Sequence, residues 1–162
     1  MEQVRGIYGI IIHPKQTLLA LPSHRLYVLG VLAPLYFGIA RGFRFVNNQT
    51  LFTWLGSDLM KLIFSAILAA IMILVGTWIM QQILVLFRKR IGIIKLLNIY
   101  GYALVPRLIV AGIGYAMMLS NPSMFSEVGN PGALVMLILG GAATIYTLVL
   151  YFYGIGVCPS EA

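Results

Sequence analysis

The chain has 162 residues, of which 60% are hydrophobic and only 9% charged, and its net charge is +7. A water-soluble domain carries about 25% charged residues, so this chain lacks the polar material to cover a wet surface, and lipid must cover most of it. The eleven Lys and Arg residues sit at the edges of apolar runs rather than along one face or tail, which argues against a nucleic-acid partner and for anionic lipid headgroups.

Residues 1–22 read as an interfacial amphipathic segment. Val4, Ile7, Tyr8, Ile11 and Ile12, then Leu18, Leu19 and Leu21, recur at roughly helical spacing. Pro14 suits the first turn of a second short helix. Neither half can cross a bilayer, so the segment is expected to lie in the headgroup plane with its apolar face down. It does not read as a secretory signal, because the apolar stretch Ile7–Ile12 is short and His13-Pro14-Lys15 interrupts it.

Four spans are expected after it. The first, 26–45, has a short charge-free core, Leu26–Ala40, which Arg25 and Arg41 lengthen by snorkelling. Pro34 should kink it. Residues 42–57 read as a polar connection, and Asn48-Gln49-Thr50 within it has the form of a glycosylation sequon. The second span, 62–87, carries no charge over 26 residues and then stops at Arg88-Lys89-Arg90. It exceeds a hydrocarbon core of about 30 Å, so it should tilt or project beyond it. Asp58 and Lys61, one turn apart at its start, read as a helix-end pair.

The third span, 96–119, contains Pro106 and Arg107, the one ionisable residue well inside a predicted span. Arg107 has two readings: a site for an anionic group on lipid or substrate, or a residue that snorkels to the interface because the helix bends at Pro106. The second is preferred. A connection over 120–132 has no Lys or Arg, and the fourth span, 133–155, is charge-free. The fold class is thus all-α, a polytopic transmembrane bundle in one domain, 1–162.

Arg5, Lys15, Arg25, Arg88, Lys89, Arg90 and Lys95 fall on one side of this scheme, against Arg41, Arg44 and Lys61 on the other. Basic residues accumulate in cytoplasmic loops, so both termini are expected in the cytoplasm. Arg88, Lys89, Arg90 and Lys95 are the expected contacts to lipid headgroups.

Enzymatic templates fail on inventory. The four carboxylates, Glu2, Asp58, Glu127 and Glu161, are scattered, and the two histidines, His13 and His24, lack a carboxylate or thiolate companion. No enzyme activity, metal or cofactor is expected. Cys158 is the only cysteine. Small residues four apart (Gly38 and Gly42, Ala66 and Ala70, Gly112 and Ala116, Gly140 and Thr144) allow close helix contact, within the chain or in a homo-oligomer.

The stretch Ile99-Tyr100-Gly101-Tyr102-Ala103-Leu104-Val105-Pro106 resembles the Gly-Tyr…Pro signature of the Yip1 domain family. The start, Tyr8 to Pro22, is similar to that family's pre-membrane segment, and Tyr146–Gly154 to its fourth span. The resemblance implies a small multispanning protein, and it singles out Gly101, Tyr102, Pro106 and Arg107 as the functional or packing segment. Eukaryotic members bind Rab-type GTPases. This chain has neither their long hydrophilic N-terminal domain nor their Asp-Leu…Gly-Pro motif, so no Rab-type partner is expected, and a prokaryotic inner membrane is the expected location. A fifth span, common in the family, would begin near Cys158. The expected function is non-enzymatic membrane scaffolding or protein–protein interaction within the bilayer; the alternative is a transporter or permease subunit whose path is lined by the broken third span and Arg107.

Overall fold

The computed structural model describes residues 2–48, 56–120 and 131–160, with the side chains of residues 2–6, 44, 47 and 48 outside that description. The described residues form seven α-helices and no strand: α1 (Glu2–Ile12), α2 (Pro14–Leu19), α3 (Val28–Asn48), α4 (Asp58–Leu86), α5 (Ile93–Ala103), α6 (Val105–Ser120) and α7 (Pro131–Val157). Helices satisfy their own backbone hydrogen bonds, which lipid cannot do for them. Three segments are long and apolar enough to cross a membrane: Asp58–Leu86, Ile93–Ser120 and Pro131–Val157. The described apolar stretch of α3, Val28–Phe43, is shorter. The sequon and the 120–132 connection fall largely outside the described residues.

The chain groups into two compact units, Leu21–Gly101 with Cys158–Ala162, and Met1–Ala20 with Tyr102–Val157. In the first, α3 runs antiparallel to α4. A Cβ on Gly38 would lie 2.7 Å from Ala69 Cβ, and one on Gly42 would lie 3.3 Å from Ser65 Cβ. The expected Gly38–Gly42 surface is therefore used. Its partners on α4 are the buried Ser65 and Ala69, one residue before the expected Ala66 and Ala70, which are half-buried. The Ser65 hydroxyl donates to the Lys61 carbonyl at 2.6 Å, so the polar atom is satisfied inside the contact.

Both ends of α4 are chemically defined. Ser57 caps it, its hydroxyl accepting from the Met60 N–H at 3.3 Å. Asp58 and Lys61 form the expected pair at 3.7 Å, with Asp58 largely exposed, so the pair adds little. At the other end the Arg88 N–H donates to the Val85 carbonyl and the Lys89 N–H to the Leu84 carbonyl, both at 2.9 Å. These two bonds make a Schellman stop. Arg88 occupies its left-handed position, with φ of 57°, where glycine is usual.

The same unit holds a closer crossing. A Cβ on Gly101 of α5 would strike the Leu29 carbonyl oxygen and lie 2.5 Å from Gly30 Cα. Backbone meets backbone there, so no side chain can yield.

In the other unit, α1 and α2 meet at a kink at His13, and Pro14 opens α2 as expected. The two short helices pack on each other, α2 packs on α7, and α1 touches α6. Ile10 and Leu18 are fully buried, whereas Tyr8, Ile11 and Ile12 are exposed. α6 and α7 pack together, and a Cβ on Gly114 would lie 2.7 Å from the Met136 methyl. Gly112 and Gly140, by contrast, have nothing within 4 Å of a Cβ position.

The third predicted span is two helices. α5 ends at Ala103 and α6 begins at Val105, its first turn closed by the Leu108 N–H on the Leu104 carbonyl at 3.0 Å. Pro106 is the second residue of α6, where its missing N–H costs nothing. Its ring opposes the carbonyl four residues earlier, so the chain breaks before Pro106 rather than bending at it. Ala103, Leu104 and Val105 are all buried, so no lipid meets the interrupted backbone. α3 also differs from expectation in its bounds: it starts at Val28 and runs on to Asn48, with Pro34 inside it.

Replacing Gly101 by Ala should lower stability by more than about 2 kcal/mol through overpacking. Gly112→Ala, in open space, should be neutral or stabilising by up to about 1 kcal/mol. Thermal midpoints in one detergent test the contrast.

Candidate functional site

Residues 22–27 enter α3 without helical bonding, so their backbone groups need partners from elsewhere. Asn98 of α5 supplies them. Its side-chain amide donates to the carbonyls of Pro22 (3.1 Å) and Arg25 (2.9 Å), and its oxygen accepts from the Tyr27 N–H at 2.9 Å. Asn98 is fully buried. An amide fits because the loop presents both acceptors and a donor; a carboxylate would face two carbonyls with no proton to give. Gly30 is shaped by the same residue, since a Cβ there would lie 2.6 Å from the Asn98 side-chain oxygen.

Lys95 lies one turn before Asn98 on the same face of α5. It is 7% exposed. The other expected headgroup residues are presented differently: Arg88 and Arg90 are exposed and Lys89 is half-buried. The Arg90 N–H donates to the Ser160 hydroxyl at 3.0 Å, and the Gln81 side-chain amide donates to the Ile91 carbonyl at 3.3 Å. The α4–α5 turn is thereby tied both to the end of α4 and to the residues that follow α7. In the loop held by Asn98, His24 and Arg25 are exposed.

Of the Gly-Tyr…Pro segment, Gly101 and Tyr102 are buried in α5, while Pro106 and Arg107 are half-buried in the first turn of α6. The segment is thus split between two helices. Cys158 is buried. Among the described residues no three His, Cys, Asp or Glu side chains gather as metal ligands. Asp58 is the one carboxylate with a described side chain, and it sits at the far end of α4 from the basic turn.

Sequence reasoning missed Asn98 and Gly30. Asn98 carried a readable signal, a lone amide in the apolar run Leu96-Leu97-Asn98-Ile99, because polar residues in membrane bundles serve as interhelical ties. Gly30 carried none, since only its close approach to α5 distinguishes it.

Three long apolar helical segments, with large hydrophobic side chains such as Leu74, Trp78, Leu137 and Ile145 turned outward, define an integral membrane protein. No protein-family model, curated protein or solved structure matches the chain.

Asn98→Ala should destabilise by on the order of 3 kcal/mol, since three backbone groups lose their partner. Asn98→Asp should do no better than Ala. Both should speed tryptic cleavage after Arg25 in the freed loop, read by mass spectrometry.

Proposed function

We propose that the chain is a non-enzymatic, four-span membrane protein of the Yip1 type. It organises the bilayer through helix packing, with copies of itself or another membrane protein as partner, and holds anionic headgroups at its basic end. The observation that carries the reading is the register of α3 along α4. From Gly38 to Gly42 the facing residue falls from Ala69 to Ser65, so the two helices are antiparallel neighbours. α3 has 21 residues, about 31 Å at 1.5 Å per residue, which matches a core of about 30 Å. A helix that follows a spanning neighbour in this way supports a fourth span.

The ends of the first unit support the orientation. The loop before α3, the α4–α5 turn and the residues after α7 are joined by the Asn98 and Ser160 hydrogen bonds. Arg25, Arg88, Lys89 and Arg90 gather at that end, which favours the cytoplasmic face of a prokaryotic inner membrane. The exposed Tyr8, Ile11, Ile12 and Leu19 of α1 and α2 support an interfacial segment that is seated on the protein by one side and in lipid by the other. The Gly-Tyr…Pro resemblance supports the family type, and Gly101 gives it a physical reason in the crossing with Gly30.

The transporter alternative draws support from the break at Leu104, because interrupted helices mark transport sites. A ligand whose binding collapses in Arg107→Leu, with folding intact, would establish it over the scaffold.

Topology is tested with single cysteines in a Cys158→Ala background and a membrane-impermeant maleimide. Gln16→Cys and Phe87→Cys should label from one side and Asp58→Cys from the other. Labelling of positions 16 and 58 from the same side would remove α3 from the spans.

A further inference from the structure

Thr147 of α7 is 5% exposed, and no group among the described residues gives its hydroxyl a hydrogen bond. A hydroxyl in a helix has a near partner in the carbonyl four residues earlier. Ser65, Thr77, Ser120 and Thr144 each donate to that carbonyl, at 2.6–3.0 Å. Thr147 does not donate to Ala143, although it is buried in the interior of α7, where an unpaired hydroxyl is costly.

The packing of α6 on α7 shows what lies at the same depth. Gly114, near the end of α6, meets Met136, near the start of α7, so the two helices run antiparallel. Eleven residues on from Met136 is Thr147, and eleven back from Gly114 is Ala103, about 16 Å in each direction at 1.5 Å per residue. Thr147 is therefore level with the break between α5 and α6, where Ala103, Leu104 and Val105 are buried. A break at membrane depth needs hydrogen bonds from outside its own helix. Pro106 has no N–H to give the Tyr102 carbonyl, and a carbonyl has two lone pairs to offer. The hydroxyl that does not bond to its own helix and the backbone that its own helix cannot serve thus share one level.

We propose that Thr147 and the α5–α6 break form a binding site for one ordered water molecule. The Thr147 hydroxyl donates to the water oxygen, and the water donates to the Tyr102 carbonyl, so α7 closes the joint that Pro106 opens. Water suits the site because it both donates and accepts. An anion would face a carbonyl oxygen, and a cation would share the first turn of α6 with Arg107. The site belongs to α7 and the α5–α6 joint, so it does not depend on whether α3 spans.

The test uses the full-length protein in one neutral detergent. Millisecond X-ray radiolysis makes hydroxyl radicals from water where it sits, and mass spectrometry reads the side chains they oxidise. Tyr102, fully buried at the break, is the reporter. It should be oxidised in the wild type and in Thr147→Ser, and several-fold less in Thr147→Val. The thermal midpoint adds a test of sign. Thr147→Val should lower it by about 2–4 °C, the scale of one hydrogen bond in a chain of this length. A hydroxyl with nothing bound would give the opposite sign, since a methyl in its place removes a buried unpaired group. Pro106→Ala returns an N–H to position 106, so the loss caused by Thr147→Val should shrink in that background. Thr147→Cys, whose thiol is a weak donor, takes the place of Thr147→Val where that variant fails to fold. An unoxidised Tyr102 in the wild type, equal oxidation in Thr147→Val, or a midpoint that this variant leaves unchanged or raises would overturn the site. An equal loss with and without Pro106→Ala would overturn its link to the break.

Discussion

A chain that leaves the helical state at the edge of a bilayer must find hydrogen-bond partners that lipid cannot provide. The turn before α3 finds them in one side chain, the buried amide of Asn98. Much of the first unit follows from that tie. It fixes where α3 begins, and so sets Gly30 against Gly101 at a distance only two glycines permit. From that starting point α3 follows α4 with Gly38 and Gly42 against Ala69 and Ser65. The membrane does not drive these helices together as water would, because lipid tails are as apolar as leucine. Close backbone approach and satisfied polar groups do that work, and both are concentrated on this path.

The helices themselves were legible from hydropathy. The capped, charge-free run of α4 and the Pro14 start of α2 lie where composition and proline chemistry put them. The Asp58–Lys61 pair is the local helix-end contact that its spacing implies. What escaped is tertiary. Nothing near Leu26 or Leu96 announces that residues 22–27 stay non-helical, because the cause is Asn98, more than seventy positions away. The split of the third span shows the same limit at shorter range. Pro106 announces an interruption, but its ring acts on the preceding turn, so the break falls at Leu104. On α4, a shift of one residue from Ala66 and Ala70 to Ser65 and Ala69 reflects a choice between similar small residues that only the partner helix makes.

The candidate site was half legible. The clustering of Arg88, Lys89, Arg90 and Lys95 is plain in the sequence, and so is its bias to one side. The sequence does not separate three residues at the surface from one that the fold encloses. Burial does that, and it sets Lys95, most of whose side chain is enclosed, apart from the more exposed cations of the turn. The Gly-Tyr…Pro segment divides in a comparable way: Gly101 serves the α3–α5 crossing, whereas Pro106 and Arg107 belong to the start of the next helix.

The stop at the end of α4 has a wider consequence. A left-handed backbone costs an L-residue with a Cβ roughly 1–2 kcal/mol, and Arg88 bears that cost in a position where glycine would close the same Schellman bonds without it. Asparagine, the usual second choice, is also absent. The corner therefore trades backbone stability for a fixed positive charge at the mouth of the turn. Conformational preference and charge are opposed at this one residue, so variation here pulls in two directions: toward glycine for a firmer helix end, and toward a cation for whatever the turn faces.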